Sequence, residues 1–172
     1  FIHTLQVVDN AAELTNKMEI RFAALVHDIA KPQTKKYYPD RGWTFHGHEE
    51  IGRRMMVGVA KRLKLSNELR DYLMSMIKLH LRPIALAKEG VTDTAIRRIM
   101  NEAGEDIDDL MTLCRADITT KNPNKVRRYM KNFEKVEELM KDVKLRDEMK
   151  TFQSPVRGRE IMEIFNLSEG PE

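Results

Sequence analysis

The spacing of the apolar residues constrains the fold of this chain more than any other feature. Apolar side chains recur at i, i+3, i+4 and i+7 along nearly the whole sequence, and few segments alternate with period two. A period close to that of an α-helix predicts helices whose apolar stripes face a shared core. With 172 residues, the chain is long enough to bury such a core within one domain. The sequence therefore predicts an all-α bundle of about seven or eight helices.

Capping residues and prolines set the expected helix boundaries. Ser66 and Thr92 are good N-caps, and the Lys31-Pro32 pair is expected to end a helix. The stretch 33–45 lacks helical spacing, which predicts a loop or a short extended excursion. Together these signals predict helices over the ranges 3–15, 18–30, 48–63, 67–81, 92–104, 106–121, 124–149 and 159–165.

Charge and cysteine content narrow the function classes. The formal net charge of +3 decides little. Adjacent basic residues such as Arg127-Arg128 could bind phosphates, but most such pairs lie on solvated helix faces. The single cysteine, Cys114, excludes an internal disulfide framework and cysteine-rich structural zinc patterns, and it fits a reducing compartment. We therefore predict a cytoplasmic protein, and the lack of any apolar run of about 18 residues predicts no membrane span.

Histidines and aspartates lie on the apolar side of the predicted helices. His27 continues an apolar stripe formed by Ile20 and Ala24. The same spacing directs three further side chains toward the core: His48, His80 and Asp117. A single buried histidine is commonly satisfied by a backbone carbonyl, but four such groups from four helices are hard to satisfy separately. Imidazole and carboxylate are ligands of first-row divalent metals, so the pattern predicts a metal site in the bundle core.

Two other histidines fit this pattern less well. His3 has Val7 at i+4 but Asn10 at i+7, so its position on an apolar face is the weakest. His46 competes with His48 for the same role. We choose His48, because it begins a helix and continues an apolar stripe. We expect His46 to lie in an exposed loop, with a role in supporting the site or contacting substrate as the alternative.

Several segments resemble the HD-domain superfamily of metal-dependent phosphohydrolases. Six residues occur in the ligand order of that superfamily and its two-metal members: His3, His27, Asp28, His48, His80 and Asp117. The chain is also similar to the HD domain that follows the polymerase head in bacterial tRNA nucleotidyltransferases (CCA-adding enzymes and poly(A) polymerase-like relatives). The segments that carry this similarity are RFAALVHDIAK at 21–31, HGHEEIG at 46–52, KRLKLSNEL at 61–69, LCRADITTKN at 113–122 and SPVRGREIM at 154–162. One departure is Ala30, where the family often has glycine.

The resemblance implies an HD-domain helical bundle that holds one or two divalent metal ions, of Fe, Mn, Ni, Co or Mg, in its core. It implies hydrolysis of nucleotide or RNA phosphoesters such as 2′,3′-cyclic phosphates or 2′-phosphates. Asp28 would bridge two ions, Lys31 would neutralise charge on the phosphate, and Arg82 and Arg115 are weaker candidates for phosphate contacts. The other ligands divide between the two ions: His3, His27 and Asp117 for the first, His48 and His80 for the second.

The resemblance also implies that residues 1–172 form a single HD domain, a fragment of a longer protein whose partners are tRNA and a nucleotidyltransferase head domain. The head needs a pair of strand-borne carboxylates after a Gly-Ser turn, and this sequence has none. The acidic run at 105–109 opens a predicted helix, where the helix dipole favours carboxylates. We therefore expect that this chain does not add nucleotides by itself.

Three other functions stay open at this point. The domain could be a non-catalytic module that binds tRNA or the head domain through the long basic helix, with a metal for stability only or with no metal. It could be a purely structural tail, or a two-iron oxygenase, since such HD proteins share this ligand order. The basic residues of the module hypothesis are Lys121, Lys125, Arg127, Arg128 and Lys131.

Overall fold

The computed structural model of the chain describes residues 1–88 and 92–151, together with 162, 164 and 165. Within these ranges the chain forms nine α-helices, a two-stranded hairpin and one 3-10 turn. The helices are α1 (Ile2–Leu14), α2 (Met18–Val26), α3 (Lys31–Thr34), α4 (His48–Leu63), α5 (Asn67–Leu79), α6 (Arg82–Lys88), α7 (Asp93–Ala103), α8 (Ile107–Ala116) and α9 (Pro123–Thr151). The strands are β1 (Lys36–Tyr38) and β2 (Gly42–Thr44), and the 3-10 turn is Gly104–Asp106.

The all-α prediction is confirmed, and the predicted N-caps are present. The hydroxyl of Ser66 accepts a hydrogen bond from the backbone N–H of Leu69 at 3.1 Å, and that of Thr92 accepts one from Ala95 at 3.3 Å. These bonds satisfy backbone donors that have no partner in the first helical turn. The fourth helix of the structure, α4, spans the range predicted for it.

The expectation that Lys31-Pro32 ends a helix is wrong, and a second proline begins a helix that the prediction lacks, so the helix count changes. The second helix ends at Val26 instead of 30, and the Lys31-Pro32 pair begins α3 instead of ending α2. Pro83 lies in the first turn of α6, a helix missing from the prediction. Proline fits a first turn because the N–H that it lacks has no helical partner there.

Two helices predicted in the second half of the chain are not found over their full ranges among the described residues. The helix predicted over 106–121 is shorter in the structure, because α8 ends at Ala116 and the chain turns at Asp117. The helix predicted over 159–165 lies outside the described residues, apart from the three positions given above.

The stretch 33–45 contains the extended excursion predicted for it. β1 and β2 pair antiparallel, with Lys36 opposite Thr44, Tyr37 opposite Trp43, and Tyr38 opposite Gly42. Gly42 has a φ of +72°, a conformation that glycine adopts at little cost. All six strand residues are exposed or half-buried.

The core is centred on α2, which packs against α1, α5 and α8. α4 lies close to α5 because Gly52 has no side chain: a Cβ there would stand 2.9 Å from the Ile77 Cγ2. Residue 48 precedes Gly52 by about one helical turn, and residue 80 follows Ile77 by about one turn. The close approach therefore brings His48 and His80 toward each other.

The long helix α9 packs across α6 and α7. Two bidentate ion pairs fasten it to α7: Arg97 binds Asp147 at 2.8 and 2.9 Å, and Arg146 binds Asp93 at 2.6 and 3.0 Å. Among the helices of the described residues, none combines the length and the apolar character needed to cross a bilayer.

Candidate metal centre

Six side chains converge where five helices begin or end. His27, His80 and Asp117 are the residues that immediately follow α2, α5 and α8. His48 is the first residue of α4, His3 lies in the first turn of α1, and Asp28 lies in the turn after α2. We call this set the His/Asp cluster: His3, His27, Asp28, His48, His80 and Asp117.

One side of the His/Asp cluster faces α1 and α8. The His3 Nε2 lies 3.4 Å from the Asp28 Oδ2 and 3.0 Å from the Asp117 Oδ1. The His27 Nε2 lies 3.2 Å and 3.4 Å from the same two oxygens. Two imidazole nitrogens and two carboxylate oxygens therefore surround one point. We call these four side chains the outer group, because the His3 side chain is 36% exposed.

The other side is deeply buried and uses the second oxygen of Asp28. The His48 Nε2 lies 3.3 Å from the Asp28 Oδ1 and 3.3 Å from the His80 Nε2. The His80 Nε2 lies 3.8 Å from the same Oδ1. We call these three side chains the inner group. Asp28 belongs to both groups and faces each with a different oxygen, and each group has three ligand atoms close enough to hold one metal ion.

Backbone carbonyls fix the orientation of three imidazole rings. The Nδ1–H of each ring donates to the carbonyl three residues earlier: His27 to Ala24 at 2.8 Å, His48 to Phe45 at 2.8 Å, and His80 to Ile77 at 2.7 Å. A carbonyl can only accept, so these bonds place a proton on Nδ1 and leave the Nε2 lone pair directed into the cluster. Histidine ligands of metals are usually oriented by such a bond.

The nitrogen and oxygen atoms of the His/Asp cluster are better suited to bind a divalent metal ion than to bind one another. The His27 Nε2 and the Asp28 Oδ1 are buried and have no hydrogen-bond partner among the described residues. The Nε2 atoms of His48 and His80 face each other at 3.3 Å, each with a lone pair. Such an arrangement is repulsive unless a cation or a proton lies between the atoms. Imidazole nitrogen and carboxylate oxygen are a suitable ligand set for first-row divalent ions.

The electrostatics of the cluster favour a cation. Burial alone would raise the pKa values of Asp28 and Asp117, but the close contacts with the facing histidines hold both well below the usual carboxyl range. Burial would lower the pKa of His27, yet Asp117 and Asp28 outweigh it and raise that pKa to about 9. Burial and the neighbouring His27 lower the pKa of His80 to about 4. Two ionised, buried carboxylates thus attract positive charge, and a metal ion would satisfy more of these atoms than a proton does.

A cavity of about 760 Å³ opens beside Asp28 and His3. Lys31 lines it, and its ammonium lies 2.5 Å from the Asp28 Oδ2 and 5.8 Å from the centre of the Phe45 ring. Phe1, Leu25, Ile29 and Pro32 make much of the wall apolar. The cavity gives a small molecule access to the cluster and places one ammonium group at its edge.

The other candidate side chains either bind glutamates or are exposed. Arg82 donates to Glu102 at 2.7 Å and Arg115 to Glu137 at 2.6 Å, so both guanidinium groups are bound by glutamates of other helices. His46 is exposed. The basic residues proposed for tRNA or head-domain binding are all exposed at or near the start of α9: Lys121, Lys125, Arg127, Arg128 and Lys131.

One contact of the cluster had no signal in the sequence. The His3 Nδ1 hydrogen-bonds to the Thr119 hydroxyl at 3.0 Å, across most of the chain. Thr119 therefore holds the ring of the most exposed histidine of the cluster, and neither helical spacing nor a local motif indicates this contact.

A comparison with known families identifies the bundle. The model of the HD domain family matches residues 1–122, which include all six residues of the His/Asp cluster. The chain belongs to the HD domain family. This family forms part of a superfamily of metal-dependent phosphohydrolases, as the sequence resemblance implied.

Similar proteins carry the names of tRNA-processing enzymes. A multifunctional CCA protein of Vibrio campbellii is 33% identical over 67% of this chain and 29% of its own length. A protein of the same name from Legionella pneumophila is 37% identical over 46% of this chain and 19% of its own length. An A-adding tRNA nucleotidyltransferase of Deinococcus radiodurans is 27% identical over 98% of this chain and 40% of its own length. This HD domain is thus related to those of CCA-adding enzymes, and it spans less than half the length of these relatives.

Proposed function

We propose that this HD domain is a metal-dependent phosphohydrolase that acts on nucleotide or RNA phosphoesters such as 2′,3′-cyclic phosphates. One observation carries the proposal: the two oxygens of Asp28 face two separate groups of ligand atoms, at the wall of a cavity that also contains Lys31. Two adjacent metal positions bridged by a carboxylate suit phosphoester hydrolysis.

The residues of the His/Asp cluster divide between two metal positions. His3, His27, Asp28 and Asp117 would hold one divalent ion, and Asp28, His48 and His80 a second. The ligand types are compatible with Fe, Mn, Ni, Co or Mg. Bound divalent ions supply Lewis acidity, which lowers the pKa of a water molecule and polarises a phosphoryl oxygen.

Lys31 is the side chain that would meet the phosphate. Its ammonium stands at the edge of the cavity, next to the carboxylate shared by both groups. From there it would donate hydrogen bonds to a phosphoryl oxygen and neutralise charge that develops during hydrolysis. Arg82 and Arg115 stay predictions as phosphate contacts, since each would have to leave its glutamate first.

The relatives suggest where this activity would operate. Proteins named multifunctional CCA protein and A-adding tRNA nucleotidyltransferase contain a region similar to this chain. We therefore propose that residues 1–172 form one HD domain of a longer cytoplasmic protein, with a nucleotidyltransferase head and tRNA as partners. The phosphoester would then belong to RNA or to a nucleotide released from it.

A second function is favoured by the surface of α9. Five exposed basic residues stand at or near the start of this helix, and such a patch can neutralise the phosphates of a nucleic acid. In this alternative the domain binds tRNA or the head domain without catalysis, and any metal serves stability alone.

The test is hydrolysis of a 2′,3′-cyclic nucleotide by the purified chain loaded with Mn²⁺ or Ni²⁺. We expect release of the ring-opened monophosphate, and we expect Asp28→Asn to abolish it. Asp71→Asn is the matched control, because that exposed carboxylate pairs with Arg70 and does not belong to the His/Asp cluster. A chain that is inert with each of the five metals and with several phosphoesters would overturn the proposal. Salt-dependent tRNA binding that survives Asp28→Asn would then favour the non-catalytic module.

A further inference from the structure

One face of the hairpin continues the wall of the cavity beside the His/Asp cluster. Side chains two positions apart on a strand share a face, and Tyr37 pairs with Trp43 across the hairpin. Lys35 and Phe45 lie one residue outside the strands, and continuing the register by one position places them opposite each other. Lys35, Tyr37, Trp43 and Phe45 therefore lie on one face, which we call the platform. Its inner pair, Lys35 and Phe45, lines the cavity together with Asp28.

The outer pair of the platform presents aromatic rings to solvent. Tyr37 is 59% exposed and Trp43 is 58% exposed, and their ring centres lie 5.1 Å apart in an edge-to-face arrangement. The Lys35 ammonium stands 4.1 Å from the centre of the Trp43 ring. Exposed aromatic rings interleaved with ammonium groups bind unpaired nucleobases, since the rings stack with the bases and the cations attract the phosphates.

The ammonium groups near the platform lie on the side that leads to the His/Asp cluster. Lys31 and Lys35 both line the cavity. Positive charge thus extends from the hairpin to the edge of the His/Asp cluster. A strand with several phosphates would gain more from this arrangement than a single nucleotide would.

We propose that the platform binds the unpaired end of an RNA strand, stacks a base against Trp43 and Tyr37, and directs the terminal phosphoester into the cavity beside Asp28. This inference rests on the proposed function, because it names a strand end as the substrate of the same site. A stacked base would replace the ammonium over the Trp43 ring and leave Lys35 to contact phosphate.

The same aromatic pair also supports the hairpin. A two-stranded sheet is only marginally stable alone, and cross-strand aromatic pairs stabilise it. Tyr38 provides a matched control, because it lies on the same strand but on the opposite face, where its ring is approached by Arg41. Thermal unfolding and circular dichroism of each variant would separate loss of binding from loss of the hairpin.

Trp43 is the chain's single tryptophan, so intrinsic fluorescence reports on the platform directly. The chain would be titrated with a short oligoadenylate that ends in a 3′-hydroxyl, with AMP and with ribose 5-phosphate. We expect quenching by the oligoadenylate, weaker binding of AMP and no quenching by ribose 5-phosphate. Tyr37→Ala should weaken oligoadenylate binding on the order of tenfold, whereas Tyr38→Ala should leave it unchanged.

Several outcomes would overturn the inference. Equal affinity for AMP and oligoadenylate would show that the platform does not prefer a strand end. Quenching by ribose 5-phosphate would show that binding does not depend on a stacked base. An equal loss in Tyr38→Ala and Tyr37→Ala, with the fold intact, would reject the platform. The oligoadenylate carries no terminal phosphoester, so its binding does not depend on hydrolysis. A chain that hydrolyses cyclic phosphates without binding the strand would keep the proposed function and lose only this inference.

Discussion

The His/Asp cluster and the cluster around Glu102 gather charged side chains from separate helices, yet only the first has the properties of a metal site. At the second cluster, the Glu102 carboxylate accepts hydrogen bonds from Lys78, Arg82 and Arg98 at distances of 3.2, 2.7 and 3.1 Å. The carboxylate is surrounded by donors and is partly exposed to water. Its contacts are satisfied by the residues present.

In the His/Asp cluster, hydrogen-bond acceptors predominate over donors. Its lone pairs and carboxylate oxygens point at one another, and buried atoms such as the His27 Nε2 lack a hydrogen-bond partner within the described residues. An unsatisfied buried polar group costs about 1–3 kcal/mol, whereas a surface ion pair contributes about 0–1 kcal/mol. The comparison shows two opposite balances: acceptors predominate in the buried His/Asp cluster, which could therefore hold a cation, whereas donors surround the partly exposed Glu102 carboxylate.

Replacement of Asp28 is expected to have the largest effect, because it should remove the metal-binding capacity that distinguishes the His/Asp cluster from the cluster around Glu102. Because Asp28 belongs to both the outer and the inner group, Asp28→Asn should abolish binding of both metal ions, as measured by elemental analysis after loading with Mn²⁺ and desalting. Glu102→Gln is the control from the other cluster and should retain the metal content of the unmodified chain. Retention of both ions by Asp28→Asn would contradict the assignment of a shared ligand.

Replacement of His80 should have an intermediate effect. His80 belongs to the inner group only, so His80→Gln should lose one of two ions and keep the ion held by the outer group. The variant also loses the hydrogen bond to the Ile77 carbonyl, which should lower the free energy of unfolding by about 1 kcal/mol. Elemental analysis gives the stoichiometry and urea denaturation gives the stability. Loss of both ions in a folded variant would show that the two groups do not bind independently.

Replacement of Glu102 should have the smallest effect and a distinct pH dependence. Its hydrogen bond with Arg82, aided by Lys78 and Arg98, lowers the pKa of Glu102 from 4.5 to about 2. A lowered pKa stabilises the fold fully above about pH 4.5, and this contribution is lost as the pH falls toward about 2. At pH 7, Glu102→Gln should therefore lower the free energy of unfolding by at most about 1 kcal/mol.

The measurement is urea denaturation of both proteins with a chelator present, at pH 7 and at pH 3. The difference between the unmodified chain and Glu102→Gln should shrink as the pH falls, since below about pH 4.5 the Glu102 carboxylate of the unfolded chain becomes protonated before that of the folded chain. A difference that stays constant between the two pH values would show that the charge of Glu102 contributes nothing. The chelator removes any contribution of metal binding at the His/Asp cluster.

Helical spacing located much of the candidate site because the site lies on buried helix faces. His27, His48 and His80 continue apolar stripes, and all three are buried in the structure. The spacing could not show that His27, His80 and Asp117 stand just beyond the ends of their helices. These positions depend on where each helix stops, which local sequence specifies poorly when proline can begin a helix as well as end one.

The surroundings of Arg82 show the limit of local sequence reasoning. Arg82 follows His80 closely, so the sequence suggested a place near the substrate. In the folded chain the Arg82 guanidinium binds Glu102 of α7, and no local sequence pattern predicts that contact. Thr119 illustrates the same limit, because its contact with His3 joins residues that are adjacent only after folding.

The contact between His3 and Asp117 has a consequence for the chain as a whole. These side chains stand at opposite ends of the region that matches the HD domain, and they meet at 3.0 Å. An ion bound by both would act as a removable cross-link that closes a loop around nearly all of residues 1–122. Closing a long loop removes conformational entropy from the unfolded ensemble, and metal affinity becomes folding free energy. Metal supply would then set how long the polypeptide stays folded, independently of any reaction that it performs.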